Sequence, residues 1–215
     1  MESIQEVATC IVLWGPSEVG KSTALAAFLR GGRHSWIDTS SPVTQKTLKM
    51  IEPIWVDLRQ NRFPAGTVRA EYYDVVDRDG RTLRFRDMRG GNSIRADDES
   101  QDHEALSTAA GALLFIEWPG RNAVQDLIAV ENALAWLPSS CPRALVITKC
   151  EGALVPADFA AFADLPGEFL ARTTKVPEAL RHVAGLFESK NIYPVTTFGY
   201  HADGTPASCL DEFGR

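Results

Sequence analysis

The chain reads as short apolar runs separated by amphipathic stretches. The first run, "IVLW" at Ile11–Trp14, reads as a buried strand. Ser22–Leu29, rich in Ala and Leu, reads as a helix that Gly31 and Gly32 stop. A long polar connection follows. Inside it, Leu48, Ile51, Trp55 and Leu58 recur at helical spacing. Pro53 is expected to kink or split that helix, and Pro64 and Gly66 to end it. "TVRAEYYDVV" and "RTLRFRDM" then flank "DRDG", where Asp79-Gly80 is a strong turn signal. This predicts two antiparallel strands. "GALLFIEW" (111–118) and "RALVITKC" (143–150) predict two further buried strands. Between them Val124, Leu127, Ile128, Val130, Leu134 and Trp136 supply an amphipathic helix. Residues 156–189 read as helical in two pieces, broken near Pro166-Gly167 and Pro177. "IYPVTTF" (192–198) reads as the last strand. The order predicts an α/β domain with a mostly parallel sheet and one antiparallel edge strand from the hairpin.

Composition narrows the function classes. A chain of 215 residues with 45% apolar and 23% charged positions suits one soluble domain. The net charge of −6 argues against a general nucleic-acid binder, which carries a basic excess. Cys10, Cys141, Cys150 and Cys209 form no C-x-x-C pair, and His34, His103, His182 and His201 are scattered without metal spacing. The thiols read as reduced, in a cytoplasmic protein. "MESIQEVAT" is polar and acidic and reads as no signal peptide, and the apolar runs are too short to span a bilayer.

The chemistry starts in "CIVLWGPSEVGKST", from Cys10 to Thr23. Gly15, Gly20, Lys21 and Ser22 satisfy G-x-x-x-x-G-K-[ST], between a strand and a helix. Glycines let successive N–H groups curl around a phosphate, and the helix start aims its dipole at the same anion. Lys21 is expected to reach the β- and γ-phosphates and Ser22 to ligate Mg²⁺. Ser17, Glu18, Val19 and Thr23 complete the candidate cradle.

Three more motifs fall at strand ends. Asp87 opens "DMRG", where the carboxylate is placed to hold Mg²⁺ and Gly90 to offer its N–H to a γ-phosphate. "TKCE" (Thr148 to Glu151) ends one strand, and "VTTFG" (Val195 to Gly199) ends another. Ligands in α/β sheets sit outside the carboxyl ends of the strands.

With these residues in place, the chain resembles the Ras-like GTPases of the translation-factor-related class of P-loop proteins. The matching elements are "GPSEVGKS", Thr67, "DMRG", "TKCE" and "VTTFG", in the family's order. The resemblance covers Cys10 to about Gly199 and implies a three-layer, small-GTPase-like fold over residues 1–199. It implies switch regions at about 32–67 and 87–105, and leaves 200–215 as an irregular tail. It implies GTP or GDP with Mg²⁺, catalytic roles for Lys21, Thr67 and Gly90, and metal ligation by Ser22, Thr67 and Asp87. It gives Thr148, Lys149, Glu151, Thr196, Thr197 and Phe198 to the base. Thr39, Thr44 and Thr47 compete with Thr67 for the switch threonine. More narrowly, "RFPAGT" after a Trp-containing helix resembles the bacterial double-GTPase domains of GTPase-associated, conflict-type systems.

Three departures shape the expectation. Glu151 stands where the family has an Asp that reads guanine, so the carboxylate must sit differently, with Lys149 still covering the ring. Gly91 follows D-x-x-G, where many relatives carry a water-orienting glutamine, so intrinsic hydrolysis is expected to be slow. Arg62, Arg69, Arg89 and Arg95 are the nearby candidates for an internal arginine finger, although each reads first as a surface arginine. The family closes with a helix after its last strand, and "YHADGTPASCLDEFGR" has no helical period. Either the chain continues in a longer protein or a partner covers that face. A protein partner at the switch regions, or a second GTPase domain, is expected. The alternatives are a catalytically degenerate nucleotide-binding scaffold and, ranked lowest, a P-loop kinase for a small acceptor. Glu178 and Arg181 read as a solvated pair, and Trp14 as core packing.

Overall fold

Six strands form one sheet in a computed structural model that describes residues 9–31, 36–60, 62, 71–88, 99–118, 123–174, 176–196, 201–202 and 204–205. The strands are β1 (Thr9–Trp14), β2 (Glu71–Val76), β3 (Thr82–Asp87), β4 (Gly111–Glu117), β5 (Arg143–Thr148) and β6 (Ile192–Pro194). Their order across the sheet is β2-β3-β1-β4-β5-β6. Among the described strands the hairpin pair β2–β3 is antiparallel and the other pairs are parallel. The α/β class, the parallel sheet and the antiparallel edge strand are as the hydrophobic pattern predicts.

The side chains alternate between two cores, which makes three layers. Val12 and Trp14 of β1, Leu114 and Ile116 of β4, and Leu145 and Ile147 of β5 face one core. That core is closed by α4 (Glu99–Ser107), α5 (Ala123–Trp136), α6 (Pro156–Asp164), α7 (Pro166–Arg172) and α8 (Glu178–Ala184). Leu13, Phe115 and Val146 face the other, with Tyr73, Val75 and Phe85 from the hairpin. It is closed by α1 (Lys21–Gly31), α2 (Pro42–Met50) and α3 (Glu52–Arg59). Trp14 is 1% exposed, with its indole N–H on the Ala129 carbonyl at 2.7 Å, so it packs in the core.

The connections create a crevice. The chain leaves β1 for α1 on one face and leaves β3 for α4 on the other, and β1 and β3 are neighbours. This is a topological switch point, open at the carboxyl ends of the two strands. Leu13 pairs with Asp87 across it.

The polar connection after α1 is more structured than its composition suggests. Pro53 splits the predicted helix: Ile51 ends α2 and begins α3, with Pro53 in the first turn of α3. Proline's ring would strike the carbonyl four residues back in a continuous helix. Thr47 donates its hydroxyl to the Asp74 carbonyl at 2.6 Å, and Thr44 accepts the Val76 N–H at 3.0 Å. Both threonines therefore dock α2 on β2, which removes them as switch candidates. Thr39 lies in the turn before α2, where its carbonyl accepts from Gln45. Arg30 of α1 donates to the Leu48 carbonyl at 2.9 Å and pairs with Glu52, fixing the α2–α3 elbow.

Several expectations need correction. Residues 156–189 form three helices rather than two. Pro166 starts α7 one residue after α6 ends, and Pro177 precedes α8, so each proline opens a new helix. The last strand spans Ile192–Pro194 against the expected 192–198; the Val195 N–H still reaches the Ile147 carbonyl at 2.8 Å, and residues 197–198 lie outside the described residues. Arg181 donates to the Thr173 carbonyl at 2.7 Å, so its partner is the backbone rather than Glu178. The helix α4 has too weak an apolar period to be foreseen.

Candidate functional site

The loop after β1 is built for backbone approach. Gly15 has φ +151, and a Cβ there would lie 2.5 Å from the Phe115 carbonyl oxygen. No other residue fits without moving β4. Gly20 has φ +92, and Glu18 between them has φ 64. The left-handed conformation costs a non-glycine residue about 1 kcal/mol or more. Among the described residues only Glu18 and Lys149 adopt it without being glycine. Both lie in sequence motifs assigned to the ligand, and strain of this kind clusters at such sites. Ser17 and Glu18 are exposed, while Val19 is buried and anchors the loop.

Lys21 opens α1 and is 6% exposed. Its ammonium donates to the carbonyls of Gly15 and Pro16, both at 2.8 Å. The side chain is thus folded back over the loop that precedes it. Burial pulls its pKa down to about 8, and the nearby Asp87 carboxylate partly offsets this. A poorly hydrated ammonium has most to gain from an incoming anion.

Ser22 and Asp87 meet across the crevice, the Ser22 hydroxyl donating to the Asp87 carboxylate. Asp87 is fully buried, at the end of β3. A hydroxyl and a carboxylate are the hard oxygen donors that suit Mg²⁺, so the residues present fit that ion. Thr23 is half-buried in the first turn of α1.

"TKCE", at the end of β5, braces the loop after β1. Thr148 Oγ1 lies 2.6 Å from the Val19 carbonyl oxygen and 3.1 Å from that of Ile116, tying β5 to the loop and to β4. Lys149 follows with φ 57, and its Nζ lies 2.9 Å from Glu117 Oε2. Cys150 and Glu151 enter a short 3₁₀ turn and are both buried. Burial pushes the Cys150 thiol up to about 12, which leaves it a packing group rather than a nucleophile. The Cys150 N–H donates to the Val195 carbonyl at 3.3 Å, and the Val195 N–H to the Ile147 carbonyl at 2.8 Å. The start of the last motif, with Thr196, is thereby seated against the turn.

The fold brings together Gly15, Ser17, Glu18, Val19, Gly20, Lys21, Ser22, Thr23, Asp87, Thr148, Lys149, Glu151 and Thr196 at the carboxyl end of the sheet. Lys149 is held by Glu117 at its tip, and Glu151 is 6% exposed and folded into the turn. Thr67, Gly90, Thr197 and Phe198 lie outside the described residues, as do Gly91, Arg69, Arg89 and Arg95. Arg62 lies 2.9 Å from Asp57 as an exposed pair, which suits a surface arginine. Among the described residues no group of three or more His, Cys, Asp or Glu side chains forms a separate metal site. None of the helices described is long and apolar enough to cross a membrane.

Sequence reasoning passed over Glu117 and Asp126. Asp126 of α5 is 6% exposed and accepts the Glu117 N–H at 3.3 Å. Burial first, and the Glu117 carboxylate after it, push the Asp126 pKa up to about 6. One signal for Glu117 was present: it is the single charge in "GALLFIEW", at the ligand end of a buried strand. Asp126 had none, because its partner comes from another element.

No family model matches the chain, and no curated protein matches it.

Proposed function

We propose that the protein is a guanine-nucleotide-binding switch that takes up GTP with Mg²⁺ and hydrolyses it slowly to GDP. One observation carries this reading. A strained glycine loop, a buried lysine folded over it, and a bonded Ser22–Asp87 pair converge at the switch point of a parallel sheet. Each part answers a different piece of a nucleotide. The N–H groups of the loop and the start of α1 suit the phosphate oxygens. The Lys21 ammonium neutralises the charge that builds on the transferred phosphate. Ser22 and Asp87 would hold Mg²⁺, which would supply further neutralisation of phosphate charge. The turn from Thr148 to Glu151, with Thr196 beside it, is left for the base. Water is the nucleophile, and the slow rate follows from Gly91, which has no side chain to orient it.

A protein partner is part of the proposal. The stretch assigned to the first switch region exposes Val43, Met50 and Val56, each 37–41% accessible, on two short helices. The order of the motifs resembles that of the Ras-like GTPases.

A scaffold that binds nucleotide without turnover is the second reading. The burial of Glu151 favours it, because a carboxylate folded into its own turn reads a base less directly. One experiment separates the two: titration of labelled GTP, GDP and ATP in Mg²⁺, with phosphate release followed on the same sample. Guanine preference with slow release is expected. Guanine binding with no release selects the scaffold, and preference for ATP overturns the guanine reading.

A further inference from the structure

The carboxyl end of β4 carries an acid that neither phosphate nor metal binding requires. Glu117 is the last residue of β4, and its carboxylate lies 2.9 Å from the Lys149 ammonium. Both side chains are about three-quarters buried, at 26% and 28% exposure. This is no flexible surface pair: both ends are fixed. Lys149 leaves β5 in a left-handed conformation, which sets the direction of its stem. The main chain of Glu117 is held from behind, its backbone N–H donating to the buried Asp126 at 3.3 Å. Glu117 and Thr148 are paired in the sheet register, so the lysine crosses directly to the neighbouring strand.

The two residues that end the strand therefore point two ways. Thr148 reaches the phosphate loop through the Val19 carbonyl, and Lys149 reaches Glu117. A lysine held at both ends lays its four methylenes as an apolar strip over the sheet end. Its charge is neutralised at the tip, so the strip suits an uncharged, flat ring better than a further anion.

The geometry points to Glu117 as a positioning residue for the base-binding turn, braced by Asp126 and acting through Lys149 on the purine ring of a nucleoside di- or triphosphate. This deepens the nucleotide-switch reading and rests on it. Glu117 holds the Lys149 ammonium, away from phosphate and reacting atoms in this assignment. Its effect is confined to ligands that carry a base.

The test compares two probes, GDP and inorganic triphosphate, on the full chain. Glu117→Gln keeps the size of the side chain and removes the charge that holds the ammonium. Loss of a charge-assisted hydrogen bond at a partly buried position should weaken GDP binding about tenfold. Triphosphate binding should stay within about twofold of the wild type, since it has no base to lose. Lys149→Gln should give the same pattern, and the double variant should be no worse than either single one. Glu117→Asp, one methylene shorter, should restore part of the GDP affinity. Equal GDP binding by Glu117→Gln and the wild type overturns the assignment alone. So does an equal loss of GDP and triphosphate, which would mean that the pair only holds the fold. A wild type that binds neither probe overturns the nucleotide reading and this assignment with it.

Discussion

Ser22 and Asp87 are 65 residues apart in the chain, and the hydroxyl of one donates to the carboxylate of the other. The contact joins the first turn of α1 to the end of β3 across the switch point, and it leaves a buried carboxylate near the Lys21 ammonium. Asp87→Asn keeps an acceptor for Ser22 and removes the charge. The half-saturating Mg²⁺ concentration for nucleotide binding should rise at least about tenfold. Affinity measured with a chelator should change far less. An unchanged Mg²⁺ requirement would show that Asp87 holds no metal.

Lys21 predicts a pH dependence with a definite sign. Its pKa is pulled down to about 8 by burial. A phosphate beside the ammonium favours the charged form and raises that value again. Below pH 8 the lysine is already charged, so affinity should be flat. Above it, binding must take up a proton, and affinity should fall by up to about tenfold per pH unit. Titrations from about pH 6.5 to 9.5 test this, with proton uptake measured in two buffers. The same shift governs folding: the unfolded chain binds more protons between pH 8 and 10.5, so this group adds stability as pH rises through that window. A flat binding profile would remove Lys21 from the phosphate.

Thr148 makes a prediction about rigidity. Its hydroxyl is the link between the loop after β1 and the sheet end. Thr148→Val keeps the shape and leaves a buried carbonyl unsatisfied. The expected cost is about 1–2 kcal/mol, a lowering of the thermal midpoint by about 2–8 °C for a chain of this size. Nucleotide should also dissociate faster, because the Val19 carbonyl no longer fixes the loop. A thermal change with an unaltered dissociation rate would make Thr148 a packing residue only.

What was legible in the sequence was mostly local. The P-loop signature, the Asp79-Gly80 turn and the break at Pro53 each act over a few residues, and each is found where the pattern puts it. The α/β class and the mostly parallel sheet followed from the alternation of apolar runs and amphipathic stretches. The long-range pairs were not legible. Nothing in "FIEW" or "TKCE" states that Glu117 and Lys149 meet, because their contact depends on β4 and β5 pairing in one register. The docking of Thr44 and Thr47 on β2 was hidden for the same reason, and so both stood as switch candidates. Among its described side chains Glu99–Ser107 places Ala105 and Leu106 in the core, too few to announce a helix.

Asp126 gives the last prediction, and its sign is opposite to the usual carboxylate. Its folded pKa is raised from 3.8 to about 6, chiefly by burial. The native protein therefore binds more protons than the unfolded chain between those values. Stability contributed by this group should be greatest below pH 3.8, decline through the window, and stay reduced above pH 6. Asp126→Asn keeps an acceptor for the Glu117 N–H and has no charge to desolvate. The variant should thus melt a few degrees higher than the wild type at neutral pH, and the advantage should vanish toward pH 4. Melting curves across that range measure it. The variant also probes the brace behind Glu117: with the acceptor retained, GDP affinity should hold, whereas Asp126→Ala should lower both stability and GDP binding. A variant that gains no stability at neutral pH would mean that the Lys149 ammonium already balances the buried carboxylate.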